Sequence, residues 1–294
     1  MVTTRAFARA ALAGNPSDGY GGATLAVVVR DFAAEVEANP EGAPTIVPES
    51  RLVRATVERF HRELAPAAAP AAALRVRTTI PRAVGLGGSS AIVIAAVRAL
   101  SAIHGVQLPP DELASFALAV ETEELGIAAG LQDRVAQAYG GLTFMDFRTG
   151  VYEPLDPGLL PPLVLAWNEH ASGDSGVTHS DLRARFERGE PAVLAALGEL
   201  AEHARAARGA LLAGDRRAFA RCLDGSFDAR RRMLTLDERH VAMIELARTL
   251  GASANYTGSG GAIVGCCVDA SRRAAVLAGL ADAGYHAIAP VVTP

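Results

Sequence analysis

The run Pro81-Arg82-Ala83-Val84-Gly85-Leu86-Gly87-Gly88-Ser89-Ser90-Ala91 joins a glycine-rich turn and paired serines to a long apolar segment that reads as a helix. Glycines let a backbone approach a ligand closely and take positive φ without strain. The free N–H groups and positive dipole end of the following helix then face whatever the loop encloses. Such a loop suits phosphate. The Gly-Lys-Ser/Thr of P-loop NTPases does not follow it. The chain contains no lysine, so any cation in the site is arginine, a metal or a backbone dipole.

Phosphoryl transfer also asks for carboxylates, one to hold Mg²⁺ on the phosphates and one to orient or deprotonate the attacking hydroxyl. Glu121, Glu123 and Glu124 fall at the end of a helical stretch, where they equally suit a solvated helix end. Asp133 stands in an otherwise uncharged stretch between two glycine turns and is followed by Arg134. Arg9 interrupts an apolar strand, so it either snorkels to water or faces a carboxylate. Asn15-Pro16-Ser17-Asp18 is good turn chemistry by itself. Thr257-Gly258-Ser259-Gly260-Gly261 reads as a tight turn between two strands.

These residues need a scaffold. At 294 residues the chain can bury a sizeable core. Strands fit residues 3–13, 23–38, 74–80, 142–147 and 163–168. Helices fit 49–64, with Leu52, Thr56 and Phe60 on one face, then 89–104 and 110–124. Residues 65–73 read as a surface loop. Beyond about residue 158 the pattern becomes helical. Val193, Leu197, Leu200, Ala204, Ala207 and Leu211 mark one face of a long amphipathic helix, with further helices at 215–234, 237–250 and 270–283. Strands at 253–257, 262–268 and 285–292 complete an α+β half.

Composition excludes several function classes. A net charge of −4, with no basic run interleaved with aromatics, argues against nucleic acid as a partner. Arg230-Arg231-Arg232 reads as a solvated helix face. No apolar run is long enough to span a membrane, and no secretory h-region is present. Cys222, Cys266 and Cys267 lack metal-ligand spacing and read as reduced residues of a cytoplasmic protein.

The order and spacing of the motifs resemble the galactokinase/homoserine kinase/mevalonate kinase/phosphomevalonate kinase (GHMP) superfamily across nearly the whole chain. That family's central motif is Pro-x-x-x-Gly-Leu-Gly-Ser-Ser-Ala. Pro81 to Ser90 match it, with Gly88 replacing the first serine and Ser90 the alanine. The resemblance implies an α+β, two-domain fold. Residues 1–158 would form an N-terminal domain like domain 2 of ribosomal protein S5, and 159–294 a ferredoxin-like C-terminal domain, with ATP between them.

It further implies ATP and Mg²⁺ as cofactors, Ser89 and Glu121 as metal ligands, Asp133 as the catalytic aspartate and Arg9 as its basic neighbour. Glu121 lies twelve residues before Asp133, the family spacing. Thr257 to Gly261 resemble the C-terminal glycine motif. Within the superfamily the local wording is most similar to the glucuronokinases, which phosphorylate the anomeric hydroxyl of D-glucuronate. This likeness rests on Gly14 to Asp18, Leu131 to Gln137, Asp174-Ser175-Gly176 with His179-Ser180, and Thr257 to Gly261. It implies a substrate site drawn from Asn15, Ser17, Asp18, Arg134, Ser175, His179, Thr257 and Gly258. Arg134 is the expected partner of the sugar carboxylate, with Arg183 or Arg185 as fallbacks. A kinase for another sugar, such as a heptose phosphate, and an inactive sugar-binding regulator on the same fold are the rival expectations.

Overall fold

The computed structural model describes residues 1–66, 72–168 and 175–293, and of residues 175–180 only the helical backbone. Two antiparallel-rich sheets organise the chain. The first is built on β1 (Val2–Ala13) and the long β2 (Ala23–Asn39), an antiparallel pair whose register shifts between Phe7 and Ala8. Further along β2, β4 (Ala73–Thr78) and β5 (Leu142–Asp146) also pair with it. The short β3 (Thr45–Val47) and β6 (Val151–Leu155) close the edges. The second sheet has the order β10-β7-β9-β8, from β7 (Leu163–Trp167), β8 (Ser253–Tyr256), β9 (Ala262–Cys266) and β10 (His286–Ile288).

Helices cover these sheets with the faces their apolar spacing requires. In α1 (Arg51–Glu63), Ser50 caps the Val53 N–H, and Val53, Thr56 and Phe60 are buried. Leu52, expected on that face, is half-buried against the same core and also lines a cavity. The helix α2 (Gly88–His104) is apolar nearly all round and is buried from Ala91 to Leu100 on most sides, as befits a helix covered on several faces. In α6 (Pro191–Leu212) all six residues of the expected stripe are buried. It is followed by α7 (Arg216–Met233), α8 (Glu238–Thr249) and α9 (Ala270–Asp282). One apolar cluster runs from β1 through α2 to β7 and α6, so the two sheets share a core.

Several local expectations change. The helix expected over 110–124 is α-helical only as α3 (Pro110–Ala119), after which Val120–Glu124 forms a wider π-turn. The stretch between two glycine turns that carries Asp133 is helical, with Asp133 in the first turn of α4 (Gln132–Tyr139). From Ser175 the chain forms α5 (Ser175–Glu187). Arg230 is 2 % exposed, unlike the solvent-facing Arg231 and Arg232, so the basic triplet is not a uniform solvated face. All three cysteines are free and buried. The expected surface loop over 65–73 falls largely outside the described residues.

Candidate active site

The phosphate-binding character of the glycine loop rests on its backbone. Gly87 caps α2 at φ +72° and makes no side-chain capping bond, so the N–H groups of the first turn are left for a ligand. A side chain at position 87 would be strained at that φ and would crowd Arg9 and Gln137. Ser90 Oγ donates back to Gly87 O at 3.1 Å, which turns Ser90 inward. Ser89 is exposed on the cavity side and donates to Glu121 Oε1 at 2.8 Å. Pro81, Gly85, Leu86, Gly87, Gly88 and Ser89 line a cavity of about 870 Å³, while Ser90 and Ala91 lie behind them in the core.

Glu121 is fully buried in the π-turn, a local irregularity often found at functional sites. Its Oε1 meets Ser89. Its Oε2 accepts from both Nε (2.9 Å) and Nη2 of Arg134. Arg134 Nη1 donates to Gly130 O at 2.7 Å. Arg134 therefore spends its fork on Glu121 rather than on a sugar carboxylate, as adjacent helical residues some 100° apart allow. Glu123 and Glu124 are held at the surface by Arg59 and Arg62.

In the same cavity Asp133 receives a bidentate pair from Arg9, Nε to Oδ1 and Nη2 to Oδ2, both at 2.7 Å. Arg9 Nη1 also donates to Gly85 O and Thr257 O, each at 2.6 Å. One arginine from β1 thus ties the carboxylate to the glycine loop and to the turn between β8 and β9. A Cβ on Gly258 would come within 2.5 Å of Gly85 O, so only glycine permits this close approach. Burial pushes the Asp133 carboxyl up, but the Arg9 guanidinium, helped by Arg134 and Gln132, outweighs it and holds Asp133 below the usual aspartate value.

Asp18 faces the same cavity. Burial, reinforced by the Asp133 charge, raises its carboxyl above the ordinary value. Two neighbouring carboxylates are thereby pushed apart in acidity, a pattern typical of catalytic sites.

Other expected substrate residues divide by placement. Asn15 and Asp18 line the cavity with Gly258. Ser17 is buried and donates to Ala23 O at 3.0 Å, so it shapes the turn. Thr257 is buried and donates to Gly85 O at 2.9 Å, so it holds the loop. Ser175 and His179 begin α5, and their side chains lie outside the described residues.

Sequence reasoning assigned no role to Gln132 or Arg230. Arg230 Nη1 donates to Asn15 Oδ1 at 3.0 Å, Asn15 Nδ2 to Gln132 Oε1 at 3.3 Å, and Gln132 Nε2 to Asp133 Oδ1 at 3.3 Å. This chain of bonds joins the C-terminal helices to the central carboxylate. A signal was present in Arg230, the first residue of the basic triplet, but helical spacing alone did not separate it from its neighbours.

A glycine loop at a helix N-terminus, facing across one cleft an aspartate gripped by arginine, is the equipment of a phosphotransferase. Known proteins agree. Residues 51–141 match the model of the GHMP kinases N terminal domain. Glucuronokinase 1 of Arabidopsis thaliana is 35% identical over 322 aligned positions, covering 94% of this chain and 88% of the plant protein.

The fold matches that of a D-glycero-D-manno-heptose 1-phosphate kinase from Bacteriodes thetaiotaomicron, with TM-score 0.76 at 21% identity over 99% of this chain and 95% of the other. It also matches Streptococcus pneumoniae phosphomevalonate kinase, with TM-score 0.82 at 15% identity over 99% of each chain. The chain belongs to the GHMP kinase family. It is an ATP-dependent kinase that phosphorylates a hydroxyl group.

Proposed function

We propose that this kinase transfers the γ-phosphoryl group of ATP to the anomeric C1 hydroxyl of D-glucuronate, giving glucuronate 1-phosphate and ADP. The observation that carries the reading is the Arg9–Asp133 pair, set beside the Asn15–Asp18 turn and bonded directly to Gly85 of the phosphate loop. Similarity to a glucuronokinase over nearly the full chain selects the sugar.

The triphosphate lies over residues 85–90, bound by the N–H groups that begin α2. Ser89 and Glu121 offer hard oxygen donors 2.8 Å apart at the foot of that loop. Among the described residues no cluster of three or more His, Cys, Asp or Glu side chains could hold a metal alone. This donor set fits Mg²⁺, which binds through one or two protein oxygens and otherwise through phosphates and water. When bound, the ion neutralises charge on the transferring group.

Asp133 accepts a hydrogen bond from the sugar hydroxyl, orients it in line with the γ-phosphate and takes its proton as the new O–P bond forms. Because Arg9 keeps Asp133 ionised, orientation carries most of the effect, in keeping with a loose transition state. Arg9 joins acceptor and donor sites, so the two ends of the reaction are positioned together. The division into domains 1–158 and 159–294 is part of this reading, supported by the passage from β6 of one sheet to β7 of the other between residues 155 and 163. No helix among the described residues is long and apolar enough to cross a membrane, and the reading places the enzyme in the cytoplasm.

A kinase for a neutral or phosphorylated sugar is the alternative. Coupled ADP release over glucuronate, galacturonate, glucose, galactose and a heptose phosphate tests both. Glucuronate should give the highest kcat/KM, and a neutral sugar or heptose phosphate at the top of the panel overturns the assignment. Absence of turnover on every sugar, with ATP still bound, would fit a regulator; the intact Ser89, Glu121 and Asp133 set speaks against it.

A further inference from the structure

We infer that Arg183, on α5, is the cation that receives the carboxylate of the acidic sugar and so sets the enzyme's preference for a uronic acid over a neutral hexose. The inference rests on the glucuronate reading above and assigns the group that would select that sugar.

Among the described residues, Arg9, Arg82, Arg134 and Arg183 are the arginines that line the cavity. With no lysine in the chain, recognition of a carboxylate side chain by charge falls to one of them. Arg9 is taken by Asp133 and Arg134 by Glu121. Arg82 follows Pro81 at the entrance to the phosphate loop, the donor end. Arg183 has no carboxylate within ion-pair distance among the described residues, and it stands at the acceptor end. Its Nη2 donates to Gly19 O at 3.0 Å, one residue beyond Asp18 on the turn that bounds the sugar position.

The mounting suits the task. The Arg183 guanidinium lies over the Tyr20 ring at 4.6 Å. Packing over an aromatic face restrains the fork, and with one Nη2 hydrogen given to Gly19 O the other edge remains for bidentate carboxylate pairing. Glu187, one helical turn on, lines the same cavity but does not take this arginine. An arginine placed N-terminal to its acid at this spacing is the weaker orientation of a helical pair. In a hexuronic acid the carboxylate is carried on C5, which the ring oxygen links to C1. A group that grips the carboxylate therefore also helps to set the anomeric hydroxyl against Asp133.

The test is the ratio of kcat/KM on glucuronate to kcat/KM on glucose, measured for the wild type, Arg183→Gln, Arg183→Lys and Arg82→Gln. Losing one charge-assisted pair should lower the ratio by about tenfold or more in Arg183→Gln, with Arg183→Lys recovering part of it. Arg82→Gln should leave the ratio unchanged and raise KM for ATP. If the wild type prefers glucuronate and Arg183→Gln keeps that preference, the inference is overturned while the glucuronate reading stands. If the wild type does not act on glucuronate, both fall. An equal loss on both sugars in Arg183→Gln would make Arg183 a structural support of the Tyr20 turn and overturn the inference.

Discussion

Arg134 closes both Nε and Nη2 on a single oxygen of Glu121, and the other oxygen of that carboxylate accepts from Ser89. A buried acid is thus held ready at the phosphate loop by an arginine whose fork is occupied by it. Breaking a buried pair from one side leaves an uncompensated charge, at a cost of about 3–5 kcal/mol. Arg134→Gln should therefore lower the melting temperature and reduce kcat/KM on glucuronate and glucose alike. Loss confined to glucuronate, with stability unchanged, would return Arg134 to the substrate.

The same geometry separates Glu121 from the acids that follow it. Glu123 and Glu124 are engaged by Arg59 and Arg62 on α1, away from Ser89. Titrating Mg²⁺ against activity should show a half-saturation point raised by roughly tenfold or more for Glu121→Gln. Glu123→Gln and Glu124→Gln should match the wild type. Ser89→Ala removes the other oxygen donor without disturbing the Arg134 pair, and it should shift the titration in the same direction. A normal Mg²⁺ response in both Ser89→Ala and Glu121→Gln would remove these two residues from the metal site.

Asp133 and Asp18 respond oppositely to pH in their contributions to stability, and amide substitution of either should cost activity. Asp133→Asn should cut turnover on the order of 10²–10⁴-fold while ATP still binds. A variant keeping half of the wild-type rate would refute the catalytic role. Asp133 sits below its ordinary value of 3.8 when folded, so it adds stability above that pH and the gain is lost as pH falls through the lowered value. Asp18 is raised above 3.8 when folded, so it costs stability as pH rises from 3.8 to that raised value, and the cost stays constant above it. Asp18→Asn should accordingly melt higher than wild type above the raised value, a difference that vanishes at acid pH, and should lose activity. A lower melting temperature at pH 7 would show that the Asp18 charge is favourably held.

How far the chain could be read in advance depended on the range of the interactions. The glycine turn and the α6 stripe are encoded by neighbours in sequence, and they were legible, whereas Glu121 was set apart from Glu123 and Glu124 only by the family's spacing to Asp133. The partners of the charged residues were not. Arg9 reaches Asp133 across 124 positions and Arg230 reaches Asn15 across 215. Nothing local distinguishes an arginine destined for a carboxylate from one bound for water. Arg134 shows the limit most clearly. Its neighbour Asp133 faces the cavity, but one step of helical rotation turns Arg134 to Glu121. The π-turn that buries Glu121 has no sequence signature of its own, so a plain helix was expected there. The edge strand β3 has three residues, too few to show a period, and β6 carries Pro154, which reads against a strand.

Arg230 offers the sharpest separation of function from stability. It is 2 % exposed, no carboxylate pairs with it among the described residues, and its Nε is buried without an acceptor. Burial lowers its guanidinium to about 10, so it stays charged at neutral pH despite the cost of desolvation. What it visibly does is donate to Asn15 Oδ1, so that the Asn15 amide points its NH₂ at Gln132 and, through Gln132, steadies Asp133. Arg230→Met keeps the volume and removes the desolvated charge, so the variant should melt no lower than the wild type. Asn15 would lose a charged donor, worth roughly 1.5–3 kcal/mol, and kcat/KM on the sugar should fall by about tenfold or more while KM for ATP is unaffected. A protein that melts well below the wild type yet keeps its kcat/KM would make Arg230 a structural cation over the Tyr256 ring, 5.3 Å away, and detach it from the acceptor site.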